Sequence, residues 1–436
     1  MTETLLYLLG ILILLLGVGF SIGLHELGHL WPAKRFKVPV SKYMIGFGPT
    51  IWSRKIGETE YGIKAIPLGG YIAMAGMVPP GSNAEPKNWL QRWIADGRRT
   101  QQQADGQYDT DRAFFKLPVR KRIVIMLGGP FANLILGVIF TTIALSGIGV
   151  MQPSTKITGV VECVADYQPQ VKTCDSTTVP GPALGAGLKA GDRVLKVNGV
   201  SAGNWNEVNK ALDASTGEPI RLVVERAGKE LSFRVTPALL QRPSYGAAGQ
   251  AVLNADGSAK YEPRYVLGVM IAYERQPLTM LQSLEASGQT LVGTAQMIGQ
   301  LPAQVSRIAQ ATFGSADRPQ DGPVSLVGVG SIAGNLASDP TASIQYKLST
   351  GLLILGSLNF ALFVFNLIPL LPLDGGHVLN ACYDAVKRTV FKLLKRRNPG
   401  PFDTAKLMPF TAVMWFVLLG LGVFMMIADV VKPITL

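Results

Sequence analysis

His25-Glu26-Leu27-Gly28-His29 sets two imidazoles four residues apart, with a carboxylate beside the first. On a helix, positions i and i+4 share a face, so both rings can reach one metal ion while Glu26 stands close enough to handle the proton of an attacking water. The pattern is short and arises by accident in many proteins. This chain, however, has only three histidines, and two of them are used here. Two imidazoles are still an incomplete site, because catalytic zinc takes three protein ligands and leaves a fourth position open. The segment Asn366-Leu367-Ile368-Pro369-Leu370-Leu371-Pro372-Leu373-Asp374-Gly375-Gly376-His377 offers a third. Pro369 and Pro372 interrupt a helix, and Gly375-Gly376 permit a sharp turn, so Asp374 is expected on an unwound stretch at membrane depth. His377 could serve in its place. A histidine and carboxylate set suits zinc.

The elements that must position these residues lie in a greasy chain. Of 436 residues 48% are apolar and 16% charged, which excludes an ordinary soluble enzyme. Four apolar runs, about 5 to 24, 123 to 148, 348 to 372 and 408 to 430, are long enough to cross the bilayer as helices. The HExxH pattern then ends the first of them, where ionisable groups are costly and point to function. The net charge of +12 could suggest nucleic acid, but the basic residues cluster at loop flanks. Lys34, Arg35 and Lys37 follow the first run, Arg120 to Arg122 precede the second, and Lys387 to Arg397 separate the last two. By the positive-inside rule, loops 31 to 122 and 375 to 407 are cytoplasmic, and both termini and the region between the second and third runs are extracytoplasmic. No nucleic-acid partner is expected; the lipid bilayer is. A signal peptide is disfavoured for the first run, since Met1 to Thr4 carry no positive charge and no small-residue cleavage site follows.

Between the runs, Tyr43 to Met77 is rich in Gly and β-formers and reads as hairpins. Residues 78 to 112 turn polar and look like a flexible insert. Cys163 and Cys174 fall on the oxidising side, where they can bridge or be two small buried side chains; the short separation favours the bridge. Residues 241 to 262 read as a linker, and Leu278 to Ile308 as a helix lying on the membrane or packed on the inserted module. The expected division is 1–150, 155–240, 241–347 and 348–436.

Over 155–240, Gly181-Pro182-Ala183, Ala186-Gly187-Leu188, Gly191-Asp192, Asn198-Gly199 and the strand Ile220 to Glu225 resemble a PDZ domain. Such modules bind extended peptides beside a sheet edge. Together, His25 to His29, Gly128-Gly129-Pro130-Phe131-Ala132-Asn133 and Asn366 to Gly376 resemble the site-2 protease family of intramembrane metalloproteases. The single PDZ copy looks most like the actinobacterial members that cleave anti-sigma factors. The resemblance implies a polytopic α-helical protein of the bacterial plasma membrane, with four transmembrane helices, a membrane-associated β-hairpin loop and an inserted extracytoplasmic α+β PDZ domain. It implies Zn2+ held by His25, His29 and Asp374 near the cytoplasmic side, with Glu26 as catalytic base and His377 as a neighbour orienting Asp374. Asn366 resembles an asparagine that holds substrate backbone or oxyanion, and could equally be a helix-packing hydrogen bonder; Asn133 is similarly open. The implied substrate is a single-pass membrane protein, an anti-sigma factor already cut outside the membrane. Because a transmembrane helix hides its peptide bonds in intrahelical hydrogen bonds, Ile66, Leu68, Gly69, Gly70 and Tyr71 are expected to offer a strand edge to the unwound substrate. The rivals are a PDZ-bearing scaffold that has lost catalysis, and a membrane zincin acting on other peptides. An intact set of four chemical residues argues against the first.

Overall fold

The computed structural model describes residues 2–80, 88–105, 109–166, 174–175, 178–244, 260–314, 318, 322–397 and 400–433. Its contacts divide the chain into two units, Met1–Ile148 with Pro277–Leu436, and Gly149–Gln276. Helix α1 (Thr2–Arg35) is longer than the apolar run that starts it. Its final turns are held because Leu30 and Ala33 are buried in a core with Val40, Met74, Ile125 and Met126, and because Lys34 and Arg35 oppose the negative end of the helix dipole. The HExxH pattern therefore lies inside the helix rather than at its end.

Strands β1 (Val40–Ile56) and β2 (Thr59–Met74) fold on each other more than once. Their distal halves form a hairpin from Ile56 opposite Thr59 to Thr50 opposite Lys64. Their proximal halves pair from Val40 opposite Met74 to Ile45 opposite Gly70, while Lys42 to Ile45 also lie in step with Glu60 to Ile63. The first half of β1 is thus flanked on both sides. The Ile66 to Met74 stretch keeps one edge with no strand partner among the described residues.

The polar insert holds a helix, α2 (Trp89–Asp105), which corrects the expectation of a flexible segment; residues 81–87 and 106–108 lie outside the described ones. Trp89, Leu90, Trp93 and Ile94 recur at helical spacing, and Gln and Arg are good helix formers. Arg98 ties the helix to Asp403 by two bonds of 2.8 and 2.9 Å. Helix α3 (Val119–Thr142) starts after Pro118 and continues as a π-helical stretch, Ile143–Ile148.

The second unit is built on a sheet in which Val269–Gln276, Val150–Val160, Arg193–Val197, Ile220–Arg226 and Lys229–Val235 stand side by side in that order, with Val200–Ser201 beside Arg193–Val197. Strand β3 is Val150–Val160, the short pair β4 and β5 is Cys163–Val164 and Val179–Pro180, and α4 is Pro182–Gly185. Then follow β6 (Arg193–Val197), β7 (Val200–Ser201), α5 (Trp205–Ala214), β8 (Ile220–Arg226) and β9 (Lys229–Val235). Alternation in β8 buries Ile220, Leu222 and Val224 against Val208 and Leu212 of α5. Asp192, fully buried, receives Arg226 at 2.6 and 2.8 Å and the Lys189 N–H at 2.9 Å. Cys163 and Cys174 are disulfide-bonded, with Cα atoms 5.8 Å apart. The unit does not stop near 240. Strands β10 (Ala238–Pro243) and β11 (Tyr261–Val266) pair, and β12 (Val269–Gln276) joins β3, so the two ends of the expected linker, 241–243 and 261–262, are strand; 245–259 lie outside the described residues.

After it come α6 (Met280–Gly299), α7 (Leu301–Phe313), α8 (Leu326–Ser338), α9 (Ile344–Asn366), α10 (Asp374–Leu393) and α11 (Met408–Val431). Among the described residues, four helices are long and apolar enough to span a membrane: α1, α3 with its π extension, α9, and Thr404–Val431, which includes α11. Helix α1 packs on α3 and α8, and α3 on α9 and α10.

Candidate metal centre

The two histidines of α1 face α3 at a point where the backbones nearly touch. A Cβ at Gly28 would strike the carbonyl of Gly128, and one at Gly129 would strike the His29 ring. Only glycine leaves room for that crossing, which lets α3 furnish partners for both imidazoles. His29 Nδ1 donates to the Ile125 carbonyl at 2.7 Å. The Asn133 amide, fully buried, lies 3.0 Å from His25 Nδ1. The amide nitrogen is the atom at that distance, and the buried amide oxygen has no partner among the described residues. Turning the amide over brings the oxygen to Nδ1, which carries the proton when Nε2 of His25 faces a metal, and the oxygen then accepts from it.

Both Nε2 atoms converge on Asp374. They lie 3.2 Å from each other, and each is 3.3 Å from Asp374 Oδ2. The Oδ2 atom is buried and has no hydrogen-bond partner among the described residues, an arrangement that is costly unless a cation completes it. An almost equilateral triangle of this size fits zinc, because tetrahedral ligands at zinc distances stand about 3.3 to 3.4 Å apart. Two imidazole nitrogens and one carboxylate oxygen are also the donor set that zinc prefers. Among the described residues this is the one group of His, Cys, Asp and Glu that could hold a metal.

Asp374 reaches the triangle differently from the sequence expectation. The irregular stretch is 367–373, and Asp374 is the first residue of α10, where an acidic side chain complements the helix N-terminus. Gly375 and Gly376 are helical and serve close packing: added Cβ atoms would collide with the backbone at Leu367, Ile368 and Leu370. Helix α10 is held on α3 by the buried pair Arg122 and Asp384, 2.9 Å apart, and Asp384 also accepts from the Phe402 N–H at 2.7 Å.

Glu26, 8% exposed, projects beside this triangle toward β2. A Cβ on Gly70 would stand 2.9 Å from Glu26 Cγ and 3.0 Å from Ile22 Cγ2. The free-edged strand therefore passes against the carboxylate, and Gly69, in the left-handed region at φ +111°, turns it there. Tyr71 stacks on Phe47, with ring centroids 6.3 Å apart, and Ile66 is 46% exposed; the side chain of Leu68 lies outside the described residues. Asn366 ends α9 half-buried and makes no side-chain hydrogen bond among the described residues, and His377 stands outside the triangle. The partner that sequence reasoning left open is Asn133. Its signal was a lone amide one turn beyond Gly129 in an apolar helix.

The family model described as Peptidase family M50 matches residues 13–397. Zinc metalloprotease Rip1 of Mycobacterium tuberculosis is 32% identical over 99% of each chain, and Rip1 of Mycolicibacterium smegmatis is 30% identical over 98% of each. Zinc metalloprotease RasP of Geobacillus kaustophilus is 27% identical, covering 89% of this chain and 91% of its own. Matched by the family across most of its length and by such relatives nearly end to end, the chain belongs to peptidase family M50, the site-2 protease family, and is a multi-pass membrane zinc metalloprotease.

Proposed function

We propose that this protein is an intramembrane endopeptidase that cuts a single-pass transmembrane substrate, an anti-sigma factor already shortened outside the membrane. One observation carries the reading: in a metal-sized triangle of His25, His29 and Asp374, the two histidines lie on a membrane-spanning helix, with an open strand edge beside Glu26. His25, His29 and Asp374 would hold the zinc, which when bound would supply Lewis acidity at that point, acidifying water and polarising a carbonyl. Glu26 takes the proton as water attacks the scissile carbonyl, then delivers it to the leaving amine. Asn133 and the Ile125 carbonyl keep the two imidazoles turned inward. The edge of Ile66 to Tyr71 binds the unwound substrate as an added strand, replacing hydrogen bonds that the substrate helix gives up. Asn366, at the end of α9, holds the substrate backbone or the developing oxyanion.

The PDZ-type unit over 155–240 and its adjoining strands faces the extracytoplasmic side with both termini, and admits substrates only after their bulky outer parts are gone. The basic loop flanks support that sidedness. Deleting the unit should release cleavage of full-length substrate; loss of all cleavage would make it a docking site instead. The reading as a whole is tested by supplying the full-length protein in vesicles with a single-pass reporter and mapping the cut by mass spectrometry. Cleavage within the apolar segment is expected, and cleavage confined to the flanking soluble parts would refute it.

A further inference from the structure

Helix α10 rests on α3, burying Ala381 and Asp384. Its outward face is not polar. Leu379, Tyr383, Val386, Val390 and Leu393 follow one another at helical steps of four and three, and every one is at least 43% exposed. They make one apolar stripe about 20 Å long on the side turned from the protein. The margins of the stripe are basic. Lys387 borders it on one side, Lys392 lies in the last turn, and Lys395, Arg396 and Arg397 follow past the helix end at Leu393. The one acidic residue after Asp374 in this helix, Asp384, is neutralised by Arg122. Helix α10 is not itself one of the spanning helices, but it lies in the segment between two of them, so the bilayer surface is at hand.

A water-facing helix would not carry such a stripe, and a spanning helix would not carry such charge. An apolar face with lysine and arginine at its borders fits the boundary of a leaflet, where acyl chains cover the stripe and the long cationic side chains reach phosphates. Helix α2 gives a second, independent indication. It is tied by Arg98 to Asp403 just ahead of α11, and its Trp89 and Trp93, 72% and 46% exposed, stack with centroids 6.4 Å apart. Exposed indoles beside the entry to a spanning helix mark headgroup depth.

We propose that the outward face of α10 is a binding surface for the anionic phospholipids of one leaflet. Because Asp374 begins this helix, the lipid seat sets the angle at which that carboxylate meets His25 and His29. An acidic membrane surface is thus part of the environment that keeps the centre assembled.

The chain carries its own probe. Cys382 is exposed on α10, and the other two cysteines are bonded to each other. The full-length protein is labelled at Cys382 with a polarity-sensitive fluorophore and placed in nanodiscs of phosphatidylcholine, alone or mixed with phosphatidylglycerol. In the anionic discs, emission should shift to the blue, nitroxides near the headgroup should quench it, and aqueous iodide should quench it several-fold less than in the neutral discs. Co-purifying phosphatidylglycerol should fall by roughly fivefold for each charge removed in Lys387→Gln, Lys392→Gln and Arg396→Gln at low salt, and the triple variant should lose the difference between discs. Equal iodide quenching in both discs would overturn the proposal, as would a triple variant that keeps the difference. Shielding that appears only when a transmembrane substrate is added would assign the face to protein and overturn it equally.

Discussion

Replacing Gly70 by alanine adds one methyl group to the strand that lies against Glu26. The new Cβ would meet Glu26 Cγ at 2.9 Å, Ile22 Cγ2 at 3.0 Å and the Met44 carbonyl oxygen at 3.0 Å, each short of ordinary contact by several tenths of an ångström. The Met44 carbonyl is backbone in a paired strand and Ile22 is in α1, so the group with freedom to move is the Glu26 side chain. Overpacking of this kind costs about 1 to 3 kcal/mol. If the cost falls on the reactive position of the carboxylate, kcat should drop by about 5- to 150-fold. Zinc content should not change, because none of the three proposed ligands is touched. The assay is single-turnover cleavage of a transmembrane reporter in vesicles, with metal measured on the same preparation. Gly19→Ala is the matched control on α1, since a Cβ there meets nothing within 4 Å. Unchanged cleavage by the Gly70 variant would refute the reasoning, and so would a fall explained by lost zinc.

Three further outcomes are expected. Asn133→Leu removes the partner of His25 Nδ1 and should weaken zinc binding by about 10- to 100-fold, read by chelator competition; unaltered affinity would show that the amide only packs. Arg122→Met leaves Asp384 buried without its cation and should cost about 3 to 5 kcal/mol in thermal unfolding. Adding Asp384→Asn should recover part of that, and no recovery would mean that the pair is not the cause. In the second unit, burial pushes the Asp192 carboxyl up, but hydrogen bonds from Arg226 and the Lys189 N–H outweigh it and hold it below the ordinary carboxylate range. Its stabilising effect is therefore complete above about pH 4 and is lost as pH falls through the lowered folded value. Asp192→Asn should speed hydrogen exchange in β6 and β8 near neutral pH, corresponding to about 1 to 3 kcal/mol, and flatten the acid dependence; an unchanged acid profile would contradict this.

Much of the centre was legible because it is local. His25 and His29 share a helix face by spacing alone, and the apolar runs declared their lengths. The segment around Asp374 drew notice through its prolines, but nothing local says that its carboxylate meets two imidazoles from α1. That meeting depends on α3, which touches α1 at Gly28 and Gly128 and holds α10 through Arg122. The pairing of Asn133 with His25 is hidden for the same reason, since it is set by a helix crossing. Where local signals competed, the sequence misled. Asp-Gly-Gly looks like a turn, yet an acidic residue opening a helix prevailed at Asp374. The Gln-rich polarity of α2 masked the spacing of Trp89, Leu90, Trp93 and Ile94. The strands after 260 were obscured by the Gly and Ala residues before them.

The central claim is that Glu26 moves the proton for peptide hydrolysis at a zinc held by His25, His29 and Asp374. Its most direct test is Glu26→Gln in the full-length protein, with zinc content and cleavage of a transmembrane reporter measured on one preparation. The account predicts undiminished zinc and cleavage reduced by about a hundredfold or more. Cleavage at the unmodified rate by the zinc-loaded variant would contradict it.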